Sequence, residues 1–263
     1  MTVAAPLPEA ALLRGSLGVA HGVTLRVGGV SAPPFDTLNL GASVGDDPAA
    51  VAENRRRAAA AFGRSPEWVM RADQVHGATV RVASAAAIGA DADALISDDP
   101  DWVLAVGAAD CLPILIHDTR TGAVAAVHAG WRGAVAGVAS ASVARLTQKY
   151  GSAPGDLDVW FGPAIRGPCY QVGPEVIAAV VASGGDERTG TWWPDGGEGD
   201  RFRLDVPAFV RAQLVTVGVD AARIVDSGVC THCDPSCFSH RRDRGQTGRH
   251  WAMIRAGPAN SRG

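Results

Sequence analysis

Residues 107–116 read GAADCLPILI, and this stretch places a carboxylate and a thiol immediately before an apolar run. Asp110 and Cys111 stand side by side there. A second apolar run, AVAAVHAGWRG at 123–133, carries His128, seventeen residues after Cys111. Short apolar runs bounded by turn residues predict strands, so Cys111 and His128 are expected at the ends of adjacent strands. Such a pair can be structural, a nucleophile with its base, or two metal ligands.

The neighbouring sequence predicts an α/β fold with substantial antiparallel or mixed sheet. Six strands are predicted in succession, with little helix between them. They are WVMRA (68–72), ATVRVA (78–83), ADALIS (92–97), WVLAVGA (102–108), LPILI (112–116) and AVAAVH (123–128). Helices are predicted at 47–63, 134–151, 174–185 and 204–218, and later strands at 157–165, 224–229 and 250–256.

We expect a single domain over residues 1–263, because few linkers stand out. Residues 1–20 are expected to form a loosely ordered lead. The Gly-rich and charged segment 184–202 is expected to be an exposed loop, in which Trp192 and Trp193 can cover a site.

Composition excludes several classes of protein. The chain has 263 residues, is 47% hydrophobic and has a formal charge of -3, so it has a sizeable core but no electrostatic footprint for nucleic acid. No apolar run approaches the ~20 residues that span a bilayer, and the N-terminus lacks the basic region of a signal peptide. Five cysteines without secretory context favour a reducing cytoplasm.

Three residues at the margins of predicted strands form a candidate metal site: His76, Cys111 and His128. Three protein ligands leave a fourth position on zinc open for water, as in catalytic sites. Spacing alone favours a structural role, with hydrogen-bonded histidines and a buried thiol. A third interpretation makes Cys111 a nucleophile and His128 its base, oriented by Asp110.

Arginines close to glycines in the sequence indicate a second kind of site, one that binds anions. Five of them stand in HAGWRG (128–133) and SHRRDRGQTGR (239–249): Arg132, Arg241, Arg242, Arg244 and Arg249. The planar guanidinium makes bidentate, charge-assisted bonds to phosphate. Most of the five are expected to be ordinary surface residues, and the density of the second stretch favours at least one anion contact.

The stretch CTHCDPSCFSH (230–240) is rich in cysteine and histidine. A C-x2-C pair is a strong zinc signal only with a second pair, and here a lone Cys237 follows. A structural zinc is one interpretation, and reduced buried cysteines near the pocket are the favoured one.

Several motifs together resemble the YfiH-like laccase-domain family. They are SAPPFDTLNLGASVGDD (31–47), QVHG (74–77), ADCLPIL (109–115), AAVHAGWRG (125–133), GPAI (162–165), CYQVG (169–173) and CTHC…FSHRRDRGQTGR (230–249). Members of this family have been called multicopper polyphenol oxidases and purine nucleoside phosphorylases. The resemblance spans about residues 20–256 and implies a four-layer α/β/β/α sandwich with mixed β-sheets. The deamidase domain of cytotoxic necrotizing factor shares that fold.

The resemblance also implies the activity. His76, Cys111 and His128 match the metal ligands of the family. Members phosphorolyse adenosine, inosine, guanosine and methylthioadenosine and deaminate adenosine, so a purine nucleoside and phosphate are the expected partners. Relatives have been linked to removal of mis-incorporated amino acids from peptidoglycan precursors. This sequence departs from the family pattern at Arg166, a usual Gly, and at Gln171, a usual Glu.

Zinc is the expected metal, with copper as the alternative. A multicopper cluster needs many histidines, whereas this sequence has seven and no H-x-H pair. In deamination the metal would activate water, with Asp110 as proton shuttle or as a residue orienting a ligand. Arg26 and Arg241, and more weakly Arg132, are expected to hold phosphate, and Asn39 a ribose hydroxyl.

Two other function classes remain open from the sequence. One is a Cys/His hydrolase acting on an amide, with Cys111 as nucleophile. The other is a metal-binding partner protein without enzymatic activity, active in cell-envelope growth.

Overall fold

The computed structural model describes residues 7–197 and 200–257. The strands in these ranges are β1 (Leu12–Leu13), β2 (His21–Thr24), β3 (Val69–Met70), β4 (Val80–Val82), β5 (Ala94–Ser97), β6 (Val103–Ala108), β7 (Leu112–Asp118), β8 (Val124–Ala129), β9 (Leu157–Phe161), β10 (Gln171–Val172), β11 (Trp192–Pro194), β12 (Phe202–Leu204), β13 (Ile224–Asp226) and β14 (His250–Arg255). The α-helices are α1 (Pro48–Ala60), α2 (Trp131–Val135), α3 (Val138–Tyr150), α4 (Pro174–Ala182) and α5 (Val206–Thr216).

Two large mixed sheets form the centre of the fold. A five-stranded sheet has the order β1-β2-β14-β6-β3, and a six-stranded sheet has the order β13-β9-β7-β8-β5-β4. Most neighbours are antiparallel, while β3 pairs with β6, β4 with β5, and β13 with β9 in parallel. A small third sheet, β10-β12-β11, lies in the second half of the sequence.

The strands of the six-stranded sheet are apolar on both faces because both faces are covered. Leu95, Leu115 and Trp160 belong to the cluster that packs against the five-stranded sheet. Their neighbours Ile114 and Phe161 belong to the opposite cluster, with residues of α3, α4 and α5. The period of two along each strand therefore separates two cores.

The outer face of the five-stranded sheet carries a third cluster. Ala58 of α1 and Phe62 pack there against Val103, Ala105 and Met253. The order of layers is thus helix, sheet, sheet, helices, and the predicted α/β/β/α sandwich with mixed sheets is confirmed.

The link between β6 and β7 connects the two large sheets. β6 belongs to the five-stranded sheet and β7 to the six-stranded sheet, and only residues 109–111 join them. Asp110 has a φ of 90° in this link, a conformation that non-glycine residues rarely adopt. The short crossing places Cys111 at the edge where the two sheets meet.

Most predicted elements are confirmed, with three differences. The helix predicted over 134–151 is divided, because Gly137 adopts a left-handed φ of 76° between α2 and α3. Residues 7–20 of the predicted loose lead include β1, which pairs with β2, whereas residues 1–6 lie outside the described residues. In the predicted loop 184–202, Trp192 and Trp193 form β11 and pair with β12.

The helices in the described ranges are too short or too polar to cross a membrane.

We expect Leu115→Ala to lower the free energy of unfolding by about 2–5 kcal/mol, because Leu115 is fully buried between the two large sheets. The matched control is Val225→Ala in the six-stranded sheet, where the side chain is 43% exposed and the loss should be about 0.5 kcal/mol. Urea unfolding of both variants measures the difference. Equal losses would contradict the packing described above.

A second prediction concerns acid stability. Nε2 of His250 accepts a hydrogen bond of 2.6 Å from the backbone N–H of Phe238, and burial lowers the pKa of His250 from 6.5 to about 4. The neutral ring therefore contributes stability that is present above pH 6.5 and is lost as the pH falls towards 4. The free energy of unfolding should fall by about 2 kcal/mol more between about pH 7 and pH 5 in the wild type than in His250→Gln, which keeps an acceptor but does not titrate. Identical pH dependence of the two proteins would refute this role.

Candidate active site and metal centre

The structure brings His76, Cys111 and His128 together from three separate segments. Their ligand atoms lie within 4.8 Å of one another. Sγ of Cys111 is 3.9 Å from Nε2 of His76, and the two imidazole rings are nearly perpendicular, with centroids 4.9 Å apart. Two imidazoles and one thiol on one side of a small space are a donor set that zinc binds in catalytic sites.

Strand register accounts for much of this convergence. β5 pairs with β8 so that Ala94 lies opposite Val127, which sets Asp93 opposite His128 one step further. β7 pairs with β8 so that Leu112 lies opposite Ala129, which sets Cys111 opposite Gly130. The ladder of the six-stranded sheet therefore fixes the spacing of these groups.

Asp93 organises both histidines through a buried carboxylate. Its Oδ1 contacts Nδ1 of His128 at 2.9 Å, so Nε2 of that ring is the nitrogen free to act as a ligand. The same carboxylate accepts the backbone N–H of His76 at 3.0 Å and of Gly77 at 2.6 Å. A carboxylate behind a ligating imidazole is a regular feature of metal sites, and Asp93 is fully buried.

Glycine at position 130 keeps the space between the ligands open. A Cβ added to Gly130 would lie 2.9 Å from Cδ2 of His76 and 3.1 Å from Sγ of Cys111. His76 itself adopts a left-handed φ of 60°, held by the bonds to Asp93. The three donors, their carboxylate and this cradle fit a bound metal ion.

The electrostatics of the site favour a thiolate. Burial by itself would raise the pKa of Cys111, but His128 and His76 lower it to about 6. Burial would lower the pKa of His128, but the Cys111 thiolate and Asp93 raise it to about 9. Metal ligands must be deprotonated, and a metal ion would replace the proton on His128 as the counter-charge of the thiolate. A thiolate beside an imidazolium also suits a nucleophile, so both interpretations from the sequence fit these charges.

The three residues open into a cavity of about 650 Å³. This volume lies within the range of small-molecule sites. Trp131 and Tyr170 supply aromatic surface to its lining. The cavity is large enough for a nucleoside-sized ligand.

Four arginines line the same cavity. Arg132 stacks on Trp131 at 4.3 Å, and Arg241 lies over Tyr170 at 5.1 Å. Arg71 is half-buried, and among the described residues its Nε has no hydrogen-bond partner. Burial lowers the pKa of Arg71 to about 10 and also lowers the pKa of Arg249. A half-buried positive charge with no ion pair among the described residues favours an anionic ligand.

Two predicted substrate contacts lie elsewhere. Arg26 is outside the cavity, because Asp36 holds its guanidinium at 2.8 Å and Phe238 lies under it. Asn39 is fully buried, with its amide bonded to Asp46 and to the backbone of Gly41 and Arg249. Asn39 therefore shapes the wall behind the cavity and has no free group for a ribose hydroxyl.

Asp110 anchors a distant segment and orients neither histidine. Its carboxylate accepts the hydroxyls of Thr231 at 2.6 Å and Ser239 at 2.7 Å, and the backbone N–H of Arg241 at 2.6 Å. The orienting role expected of Asp110 belongs to Asp93. Asp110 also lines the cavity, and its expected role as a proton shuttle stays a prediction.

The chain matches a family model described as multi-copper polyphenol oxidoreductase laccase over residues 20–257. A protein of Deinococcus radiodurans named purine nucleoside phosphorylase is 41% identical over 94% of this chain and 93% of its own length. A purine nucleoside phosphorylase of Pseudomonas aeruginosa is 43% identical over 88% and 91%. The crystal structure of YlmD from Geobacillus stearothermophilus superposes with a TM-score of 0.85, at 36% identity and covering 91% and 92%.

This chain belongs to the YfiH-like laccase-domain family. The match covers nearly the whole sequence, as the resemblance of its motifs predicts. A protein of Bacillus licheniformis called YfiH has a similar structure, with a TM-score of 0.85 at 33% identity over 91% of this chain and 93% of its own.

The departures from the YfiH-like pattern have local structural reasons. Arg166 makes a bidentate ion pair with Asp226 at 2.6 and 2.7 Å. The side chain of Gln171 is exposed and bonds Asp195, while its backbone oxygen accepts Nη1 of Arg241 at 2.9 Å. Position 171 therefore supports Arg241 through the backbone, and its side chain is not among the residues that line the cavity.

Three residues of this YfiH-like site are not predicted from the sequence: Asp93, Arg71 and Tyr170. Asp93 is the second residue of the predicted strand ADALIS and directly precedes β5, just as His76, Cys111 and His128 lie at strand margins, and this placement is a usable signal. Arg71 lies at the end of WVMRA and Tyr170 in CYQVG, and nothing local distinguishes them. Only the packing brings these two side chains to the cavity.

We expect Asp93→Asn to weaken Zn²⁺ binding at the His76–Cys111–His128 site by about 10–100-fold, because the ligands lose the charge that fixes them. The matched control is Asp91→Asn, two residues away and exposed, which should bind Zn²⁺ as the wild type does. Competition with a chromogenic chelator measures both affinities. Equal affinities in the two variants would show that the carboxylate does not organise the ligands.

Proposed function

We propose that this protein is a zinc-dependent purine nucleoside enzyme. It would phosphorolyse adenosine, inosine, guanosine and methylthioadenosine and would deaminate adenosine. The observation that carries the proposal is one cavity of about 650 Å³ in which the His76–Cys111–His128 donor set faces a group of arginines. The names of the relatives support the phosphorylase activity.

The lining of the cavity suits both substrates. The rings of Trp131 and Tyr170 offer stacking surface for a purine. Arg71 and Arg249, with Arg241 at the rim, offer charge and N–H donors for phosphate. These three residues replace the pair Arg26 and Arg241 as the phosphate contacts, since Arg26 is outside the cavity.

In phosphorolysis, an oxygen of hydrogen phosphate forms a bond to C1′ while the bond from C1′ to the purine N9 breaks, and the purine takes up the proton that the hydrogen phosphate gives up. The arginines hold the phosphate in line with C1′ and offset charge as the sugar becomes electron-poor. The aromatic residues hold the leaving base. Phosphorolysis consumes phosphate and no water, which distinguishes it from hydrolysis.

His76, Cys111 and His128 would hold the metal. When bound, zinc supplies a Lewis acid that polarises a base and acidifies water, which is the chemistry that deamination at C6 requires. Asp93 keeps both histidines in place for that task. The Cys/His donor set suits zinc, and copper is the alternative ion.

A cysteine hydrolase acting on an amide is the second candidate, with peptidoglycan precursors as the substrate class. The Cys111 thiol has a pKa of about 6 beside His128 with a pKa of about 9, as a nucleophile and its partner require. Activity without metal that a thiol reagent blocks would favour this candidate.

We also propose that the protein acts as one domain and is cytoplasmic. The five cysteines are unpaired in the structure, which suits a reducing compartment.

The decisive experiment incubates purified protein of known metal content with adenosine, with and without phosphate. Cys111→Ala should abolish inosine formation, while release of adenine survives in part, because phosphate needs no activated water. Arg241→Ala should lower phosphorolysis by about 10²–10³-fold, the effect typical of a lost contact to an oxyanion, and should affect deamination less.

The matched control is Arg145→Ala, an arginine on α3 that contacts Gln148 and does not line the cavity. It should retain both activities. Equal loss of both activities in folded Cys111→Ala and Arg241→Ala proteins would refute this division of labour. Absence of turnover on every nucleoside would refute the proposed function itself.

A further inference from the structure

A second group of metal-ligating side chains lies in the segments beside the cavity. The ligand atoms of Cys169, His232 and Cys233 lie within 4.8 Å of one another. Cys169 ends a short 3₁₀ turn, Gly167–Cys169, that follows β9. His232 and Cys233 belong to a turn after β13, more than sixty residues further along the sequence.

The turn around Cys230 has the form of a metal-binding turn. The backbone N–H groups of Cys233 and Asp234 donate to the carbonyl of Cys230 at 3.1 and 2.9 Å, so this C-x2-C segment folds back on itself. C-x2-C turns supply two ligands in many zinc sites.

Three of these side chains lie close together, and Cys230 belongs to the same turn as two of them. Sγ of Cys169 is 3.3 Å from Sγ of Cys233, and the ring of His232 has a nitrogen within 4.8 Å of both sulfurs. Three cysteines and one histidine are a common ligand set of structural zinc sites, and Cys230 would supply the fourth ligand. Two thiolates 3.3 Å apart repel one another unless a cation lies between them.

We propose that Cys169, Cys230, His232 and Cys233 bind a second Zn²⁺, at a structural site distinct from the cavity. Each thiol would release its proton to solvent as the metal binds, so no oxidant or reductant is needed. A disulfide is the competing chemistry. It would join Cys169 to Cys233 and would give no role to His232, whose ring has a nitrogen within 4.8 Å of both sulfurs.

The position of the site suggests its effect. Cys169 directly precedes Tyr170, which lines the cavity, and Thr231, between the other ligands, donates to Asp110. Asp110 in turn holds the backbone of Arg241. A metal at this place would cross-link two segments that together carry one wall of the cavity.

The test measures zinc per protein molecule by elemental analysis, after purification under reducing conditions with Zn²⁺ supplied. The double variant Cys169→Ser/Cys233→Ser should contain about one zinc fewer than the wild type. The matched control is Cys237→Ala, a buried cysteine outside the set, which should match the wild type. The test compares the zinc contents of two proteins, so its result is valid whether or not the cavity also binds a metal ion.

A spectroscopic measurement identifies the ligands. Co²⁺ bound to Cys111→Ala protein should show the thiolate-to-metal absorption and intense d–d bands of a tetrahedral site, and the double variant in this background should lose them. If the double variant fails to fold, His232→Ala serves instead and should weaken Co²⁺ binding. Equal zinc content in the wild type and the folded double variant would overturn the proposal. Mass spectrometry that finds a Cys169–Cys233 disulfide in the reduced, zinc-supplied protein would also overturn it.

Discussion

The buried carboxylate of Asp93 is the contact on which the site depends. It bonds the ring of His128 and the backbone N–H of His76, so one charge positions two candidate ligands from different segments. Removing such a carboxylate from water costs free energy unless its bonds are satisfied. Its donors, which include Gly77, satisfy it here. The same bonds hold His76 in a left-handed backbone conformation that the residue would otherwise avoid.

A second constraint comes from the way the backbone passes between sheets. The link of residues 109–111 runs from β6 to β7, so its side chains face the edge between two layers. Cys111 lies with His76 and His128, and Asp110 bonds the segment that carries Thr231, Ser239 and Arg241. Two adjacent residues thus belong to different features: the candidate metal centre, and the attachment of a cavity wall to the sheets.

The arginines differ in their positions and in their charge partners. Arg26 is neutralised by Asp36 and stacks on Phe238 away from the cavity. Arg71 and Arg249 line the cavity and are half-buried there, and desolvation lowers the pKa of both guanidinium groups. A ligand anion would relieve that cost, whereas Arg26 already has its counter-charge.

The sequence by itself determined the α/β class, most strand and helix positions, and the motifs that identify the family. These signals are local, because apolar periodicity and turn residues act within a few positions of one another. Through the family resemblance, its motifs also indicated His76, Cys111 and His128 as a candidate metal site. Only the tertiary structure decided that Asp93 supports them and that Asn39 is an internal brace. Those roles depend on strand register and on which face of a sheet is covered, and both are set by contacts between residues far apart in the sequence.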